Sequence, residues 1–272
     1  TLNNGTNVSQ TATYIITPRA NLGLCEGNPF TLTVRVNPTP SLITFNRVIC
    51  TAGTFEVSPT TDYSNGIVPV NTNYTWSAPV AVGLSGLFSA TNAASISGTL
   101  SHSTNAPILA VYNVVPRGPV SLGSCVGATF VVNVTVNPRP VINALTTTVC
   151  SGQLFTVTPV TGSVVPAAAG MSYAWTYIGA SSASLTNGSN GSSTPGVLMT
   201  GTLTNGTNVL QTATYNVTPI YTNGGLSCSG GVFSTTVFVN PNAVINPMTA
   251  VICTGDFFNV TPVNSTNGIV PL

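Results

Sequence analysis

The 272-residue chain carries a net charge of +1, and only 3% of its residues are charged, against roughly 25% in ordinary soluble domains. Its basic residues, Arg19, Arg35, Arg47, Arg117 and Arg139, are all arginine, and its acids are Glu26, Glu56, Asp62 and Asp256. So sparse a set offers no electrostatic footprint for nucleic acid or anionic lipid. Despite a mean hydropathy of +0.39, no stretch approaches the ~20 apolar residues of a spanning helix, so no membrane span is expected.

In chain order, a strand-like run around Tyr14 ends near Pro18, Cys25 follows, and Phe30 opens a run that closes on Val36-Asn37-Pro38. The next segment brings Cys50, then Phe55-Glu56-Val57-Ser58-Pro59, then Tyr74-Thr75-Trp76. Tyr112, Cys125, Phe130 and Val136-Asn137-Pro138 follow in that order. The same landmarks return as Cys150, Phe155-Thr156-Val157-Thr158-Pro159, Tyr173-Ala174-Trp175, Tyr215, Cys228, Phe233 and Val239-Asn240-Pro241. Cys253 and Phe258-Asn259-Val260-Thr261-Pro262 begin the series once more. Cys50, Cys150 and Cys253, and likewise Cys25, Cys125 and Cys228, are separated by 100 and then 103 residues, which is the signature of a tandem repeat. The expected organisation is 1–38 as the C-terminal part of a repeat, 39–138 and 139–241 as complete repeats, and 242–272 as the N-terminal part of another. We therefore expect the chain to be a window on a longer array.

Each repeat holds about seven short runs rich in Val, Thr, Ile, Phe and Tyr, bounded by Gly, Pro, Asn and Ser. They alternate with period two, as in Phe130-Val131-Val132-Asn133-Val134-Thr135-Val136, and no segment has helical periodicity. The expected fold is all-β, a tandem array of immunoglobulin-like sandwiches of about 100 residues each. Outer-membrane barrel strands also alternate, but they recur as short hairpins without paired cysteines or prolines at this spacing.

The order Cys-x-Gly before an early strand, Tyr-x-Trp on a third, Tyr on a sixth, Cys before the seventh and a closing Val-Asn-Pro resembles the PKD-like, immunoglobulin-type repeats of large Bacteroidota surface proteins. That resemblance covers essentially the whole chain. It implies an exported adhesin or stalk, secreted to the cell surface or outside the cell, often by the type IX route.

No catalytic constellation is expected. His102 is the only histidine; without a repeat counterpart or a neighbouring acid it reads as a solvated loop residue. The acids form no Asp-x-Asp pair for calcium, and two cysteines per repeat without a regular histidine do not suit zinc. No metal or other cofactor is expected. Asn4-Gly5-Thr6 and Asn205-Gly206-Thr207 are among several sequons, which the Asn, Gly, Ser and Thr content of the loops explains in part.

Cys25, Cys50, Cys125, Cys150, Cys228 and Cys253 are disulfide candidates for an oxidising compartment. The family resemblance implies pairing within a repeat, Cys50 with Cys125 and Cys150 with Cys228. Sandwich topology puts the first-hairpin and last-hairpin loops at opposite ends, too far apart for one disulfide, and brings Cys50 towards Cys228 of the next repeat. Joining Cys125 to Cys150 is a third option, and the sequence leaves the connectivity open. Trp76 and Trp175 are expected as core anchors of the third strand rather than sugar platforms, with Tyr14, Tyr112 and Tyr215 in similar roles.

The function expected is structural. Stiff beads joined at proline-bounded junctions make an extended, disulfide-reinforced stalk or fibre whose partners are neighbouring repeats and other copies of itself. An alternative is a module array that binds surface polysaccharide or another surface, with recognition in the loop Gly179 to Gly196.

Overall fold

The computed structural model describes residues 1–23 and 25–272. Helix among them is confined to two three-residue 3-10 turns, Val120–Leu122 and Ala168–Gly170; all other regular structure is strand. The all-β expectation holds. The chain forms two compact units, Thr1–His102 with Pro107–Val136, and Ser103–Ala106 with Asn137–Leu272.

The first unit contains a sandwich. One sheet runs in the order Phe45–Cys50, Phe130–Asn137, Ile108–Arg117, Asn73–Trp76 and Ala90–Ala93. Gly53–Val57, paired antiparallel with Ile96–Leu100, forms the opposing layer. The period-two pattern sets which residues meet between the layers: Phe130, Val132, Val134 and Val136 point inward from one strand, and Ala110, Tyr112 and Val114 from its neighbour. Phe55 lies 5.4 Å from the Tyr112 ring, and Phe130 stands edge-on to Phe45 and Tyr74 at 5.8 and 6.0 Å. Each of these large side chains contributes about 1.5–3 kcal/mol by burial.

The same unit begins with a hairpin, Gln10–Ile16 paired with Phe30–Val36 over seven residues from Gln10 opposite Val36 to Ile16 opposite Phe30. It is a two-stranded sheet by itself, and Tyr14, Ile15, Phe30 and Leu32 on it are all exposed.

In the second unit the strands lie in the order Leu145–Cys150, Phe233–Asn240, Gln211–Asn223, Met171–Ala180 and Gly191–Ser192, with Leu226–Ser229 added to Gln211–Asn223. The first of these pairs parallel with the last strand of its repeat, from Leu145 opposite Thr235 to Cys150 opposite Asn240. The other pairings are antiparallel. Leu154–Val157 with Met199–Thr202, and Leu185–Thr186 with Thr204–Asn205, form the facing layer. Between the layers lie Phe155, Met171, Tyr173, Met199, Leu203, Tyr215, Val217, Phe233, Val237 and Val239.

The parallel pairing has a geometric consequence. The chain enters the repeat at the end marked by Leu145 and Thr235 and leaves at the end marked by Cys150 and Asn240. Entry and exit lie at opposite poles of the sheet, separated by a strand whose eight residues span about 26 Å at ~3.3 Å per residue.

Candidate functional site

Two kinds of polar site recur with the repeat, one that closes each repeat and one at the junction with the next. Asn4, His102 and Asn205 occupy equivalent positions at the start of the loop before the Tyr-bearing strand. Each reaches the carbonyl of the valine in a closing Val-Asn-Pro: Asn4 Nδ2 donates to Val36 O at 2.8 Å and Asn205 Nδ2 to Val239 O at 2.8 Å. His102 Nε2 lies 2.9 Å from Val136 O; a carbonyl can only accept, so Nε2 carries the proton.

The amides also fold their own loop. Asn205 Nδ2 donates to Val209 O, while its Oδ1 accepts from the backbone N–H and hydroxyl of Thr207. Asn4 does the same with Val8 and Thr6. A hydroxyl on the first-hairpin turn holds the backbone of the same residue: Thr51 exchanges two bonds of 2.8 Å with His102 N and O, and Ser151 accepts from Asn205 N at 2.9 Å. One residue, through its side chain and its backbone, thus ties the last strand, the first hairpin and the loop before the sixth strand together. His102, expected as a solvated loop residue, is half-buried in this clamp and stands where Asn occurs at the two equivalent positions.

The junction uses further asparagines. Asn7, 7% exposed, donates Nδ2 to Thr61 O at 2.7 Å, accepts Val68 N–H at 2.7 Å and donates its own N–H to the Tyr63 hydroxyl at 3.1 Å. Asn137, fully buried, donates Nδ2 to Asn223 O at 2.9 Å and accepts from Asn223 Nδ2 at 2.9 Å. Arg139 Nη1 donates to Ser229 O at 3.0 Å, and Asn242 Nδ2 to Ser151 O at 2.8 Å. The flanking prolines supply no competing N–H and narrow the backbone choices. Sequence reasoning missed both asparagine sets. The signal was present in the recurrence of Asn-Gly-Thr-Asn at Asn4–Asn7 and Asn205–Asn208.

Of the aromatic candidates, Trp76 is 4% exposed, with its indole N–H donating to Phe88 O at 3.1 Å and its ring edge-on to Phe88. Trp175 is half-buried against the second core, with Gly191 so close beneath the indole that a Cβ there would lie 2.5 Å from Cζ2. The Gly179–Gly196 segment, expected as a recognition loop, thereby lays part of itself over Trp175. Tyr112 and Tyr215 are buried, and burial pushes both hydroxyls, like that of Tyr74, up to about 12. The Tyr112 hydroxyl has no hydrogen-bond partner among the described residues. Tyr14 is 43% exposed on its two-stranded hairpin, which no second sheet faces among the described residues.

Cys50 and Cys228 are disulfide-bonded. Cys25, Cys125, Cys150 and Cys253 are free thiols, all exposed except the half-buried Cys125. The within-repeat bonds Cys50–Cys125 and Cys150–Cys228 implied by the family resemblance are therefore absent, as is Cys125–Cys150. Cys150, at the exit pole opposite Asn240, and Cys228, opposite Tyr221 beyond the entry end of Phe233–Asn240, lie more than a strand length apart.

Among the described residues no group of three or more His, Cys, Asp or Glu side chains gathers to hold a metal. Asp62 is held by the Thr60 and Ser64 hydroxyls and the Ser64 N–H, which lower its carboxyl to about 2. A surface concavity of about 630 Å³ is lined by Asn73, Thr91, Val115 and Arg117 among others, with no aromatic ring on which a sugar could stack. No helix is long and apolar enough to cross a membrane.

A chain of β-sandwiches, each closed by an amide or imidazole clamp and passed from pole to pole, defines a tandem β-sandwich repeat protein. It belongs to the PKD-like domain family, whose model matches residues 1–40, 47–140 and 147–243. No curated protein matches it. Among solved structures it is similar to the FN1–FN3 domains of chicken CNTN1 (13% identity, 83% of this chain and 75% of that one, TM-score 0.30). It is also similar to CfaE, the adhesive subunit of the CFA/I fimbria of enterotoxigenic Escherichia coli (8% identity, 74% and 99%, TM-score 0.29). A third is Sidekick-1 immunoglobulin domains 1–4 (12% identity, 75% and 47%, TM-score 0.28). Likeness at these scores carries no functional argument.

Proposed function

We propose that this chain is the repeat region of an extracellular structural or adhesion protein, in which sandwiches set end to end form a stalk or fibre whose copies associate side by side. The observation that carries this reading is the parallel pairing of first and last strands, which sends the chain in at one pole of the repeat and out at the other. A repeat built that way extends an array instead of folding back on its predecessor.

Three further features support it. The junction asparagines Asn7 and Asn137 are buried and each both donates and accepts through its side chain, which suits a defined junction better than a loose linker. A bonded pair of cysteines suits an oxidising compartment. A 3% charged content removes the repulsion that normally keeps protein surfaces apart, so lateral association is favoured.

Small-angle scattering of the purified chain tests the extended form. A compact protein of this length has a radius of gyration of roughly 18 Å. A row of three beads each ~26–40 Å long makes a rod with a radius of gyration of roughly 23–35 Å. A value near the compact figure would refute the stalk, and strictly monomeric behaviour at high concentration would refute lateral association.

A further inference from the structure

The two sandwiches are closed differently along one edge. In the first, Phe45–Cys50 ends one sheet and Gly53–Val57 lies in the facing layer. Phe45, 7% exposed, stands edge-on to Phe130 at 5.8 Å, and the Arg47 guanidinium lies over its ring, 5.9 Å from the centroid. Arg47 Nε donates to Glu56 O at 3.1 Å, a bridge from one edge strand to the other. On the neighbouring strand Val132 is fully buried.

In the second sandwich the same positions carry smaller or neutral side chains: Leu145 stands for Phe45, Thr147 for Arg47, Thr156 for Glu56 and Thr158 for Ser58. Between Leu145–Cys150 and Leu154–Val157 a cleft of about 200 Å³ opens, lined by Leu145, Thr146, Thr147, Thr156, Val157, Thr158 and Thr235. Thr235 occupies the position of Val132 and is fully buried, yet its Oγ1 has no hydrogen-bond partner among the described residues. Threonine and valine share a shape, so the exchange adds only the hydroxyl. An unpaired hydroxyl in a core costs stability, and the first sandwich closes without one. The Thr235 oxygen is therefore the part of the residue that the core does not use.

We propose that this cleft binds a small neutral polyhydroxylated ligand, a free polyol or the hydroxyl-bearing edge of a sugar, with Thr235 Oγ1 at its inner end. The chemistry follows from the lining. Each threonine hydroxyl both donates and accepts, which matches a ligand whose own groups do both. No charged side chain lines the cleft, so an ion finds no counter-charge there. No aromatic ring lines it either, so the contact is hydroxyl to hydroxyl and not stacking. Leu145 and Val157 give the apolar wall against which the C–H groups of such a ligand pack. The cleft has room for several waters, which the ligand displaces while pairing the stranded oxygen. It thereby spans the two edge strands that Arg47 spans in the first sandwich. The site stands whether or not the array is a stalk.

The test titrates the whole chain, isotopically labelled, with glycerol, glucose and a neutral glucose disaccharide, and follows backbone amide resonances. Polyols stabilise proteins generally by exclusion from their surfaces, so binding is read from site-specific shifts and not from melting. Saturable shifts confined to Thr146, Thr147, Thr156, Thr158 and Thr235 are expected, with Glu56 and Val132 unmoved. A response to glycerol and glucose marks a free polyol as the ligand; a response to the disaccharide alone marks a glycan, and either supports the site. Thr235→Val should weaken binding about tenfold, the worth of one hydrogen bond, and leave the melting temperature level or higher. Leu145→Phe combined with Thr147→Arg, which copies the first sandwich, should abolish binding. Shifts that fail to saturate or that spread over both sandwiches would overturn the proposal, as would binding undiminished by Thr235→Val. A lower melting temperature for Thr235→Val would also overturn it, by showing that the hydroxyl is already paired within the fold.

Discussion

Replacing Asn205 by alanine removes the clamp of the second sandwich at a site that is 2% exposed. Its side chain makes four hydrogen bonds: Nδ2 donates to Val209 O and Val239 O, each at 2.8 Å, and Oδ1 accepts from Thr207 N and Oγ1 at 2.9 and 2.7 Å. The Thr207 groups lie near the surface and can turn to water. The Val239 carbonyl is buried and would be left unpaired. At about 1 kcal/mol net per bond, with an added penalty for a stranded buried acceptor, the loss should be about 3 kcal/mol. That corresponds to a fall of roughly 12–24 °C in the melting temperature of a domain this size.

Hydrogen exchange followed by mass spectrometry reads the effect strand by strand. Protection of Phe233–Asn240 should fall roughly 100-fold, at 1.4 kcal/mol per decade, while Phe130–Asn137 in the other sandwich serves as the reference. The reciprocal change, His102→Asn, installs the amide that the equivalent positions use and should leave stability unchanged or raise it by about 1 kcal/mol. A loss below about 1 kcal/mol for Asn205→Ala, or equal deprotection of both strands, would refute the clamp.

Tyr112→Phe deletes a buried hydroxyl without a partner, so its melting temperature should stay level or rise, by up to about 1 kcal/mol of stability; a clear fall would reveal a bond the structure lacks. Gly201→Ala puts a Cβ 2.7 and 2.8 Å from the Phe155 ring and should cost about 1–3 kcal/mol by overpacking, measured by urea unfolding. The pH profile should be set by Tyr74, Tyr112 and Tyr215, raised from 10.0 to about 12 in the folded chain. Their contribution is fully present below pH 10 and is lost as pH rises towards 12, at about 1.4 kcal/mol per unit per tyrosine. A urea midpoint that declines well below pH 10 would contradict this.

The repeat period and the strand alternation were legible in the sequence because each landmark recurs at a fixed step and each strand buries every second residue. Phe130–Val136 shows that pattern in both sequence and structure. What escaped has a common cause: it depends on which loops meet. Asn4, His102 and Asn205 sit in polar loops that look solvated until the last strand is placed beside them, and the His-for-Asn exchange hid their equivalence. The cysteines could be counted from sequence but not paired, because the choice depends on strand direction, and the parallel register of Leu145–Cys150 with Phe233–Asn240 supplies it.

That register also determines how a repeat responds to tension. Pulling on the two ends of a repeat draws Leu145–Cys150 and Phe233–Asn240 past one another along their length, loading their six paired residues in shear. The hydrogen bonds between them must then fail together, whereas a hairpin pulled open at its ends loses them one after another. A repeat of this kind should yield at a high threshold force, with the clamp at Asn205 beside the strand that bears the load.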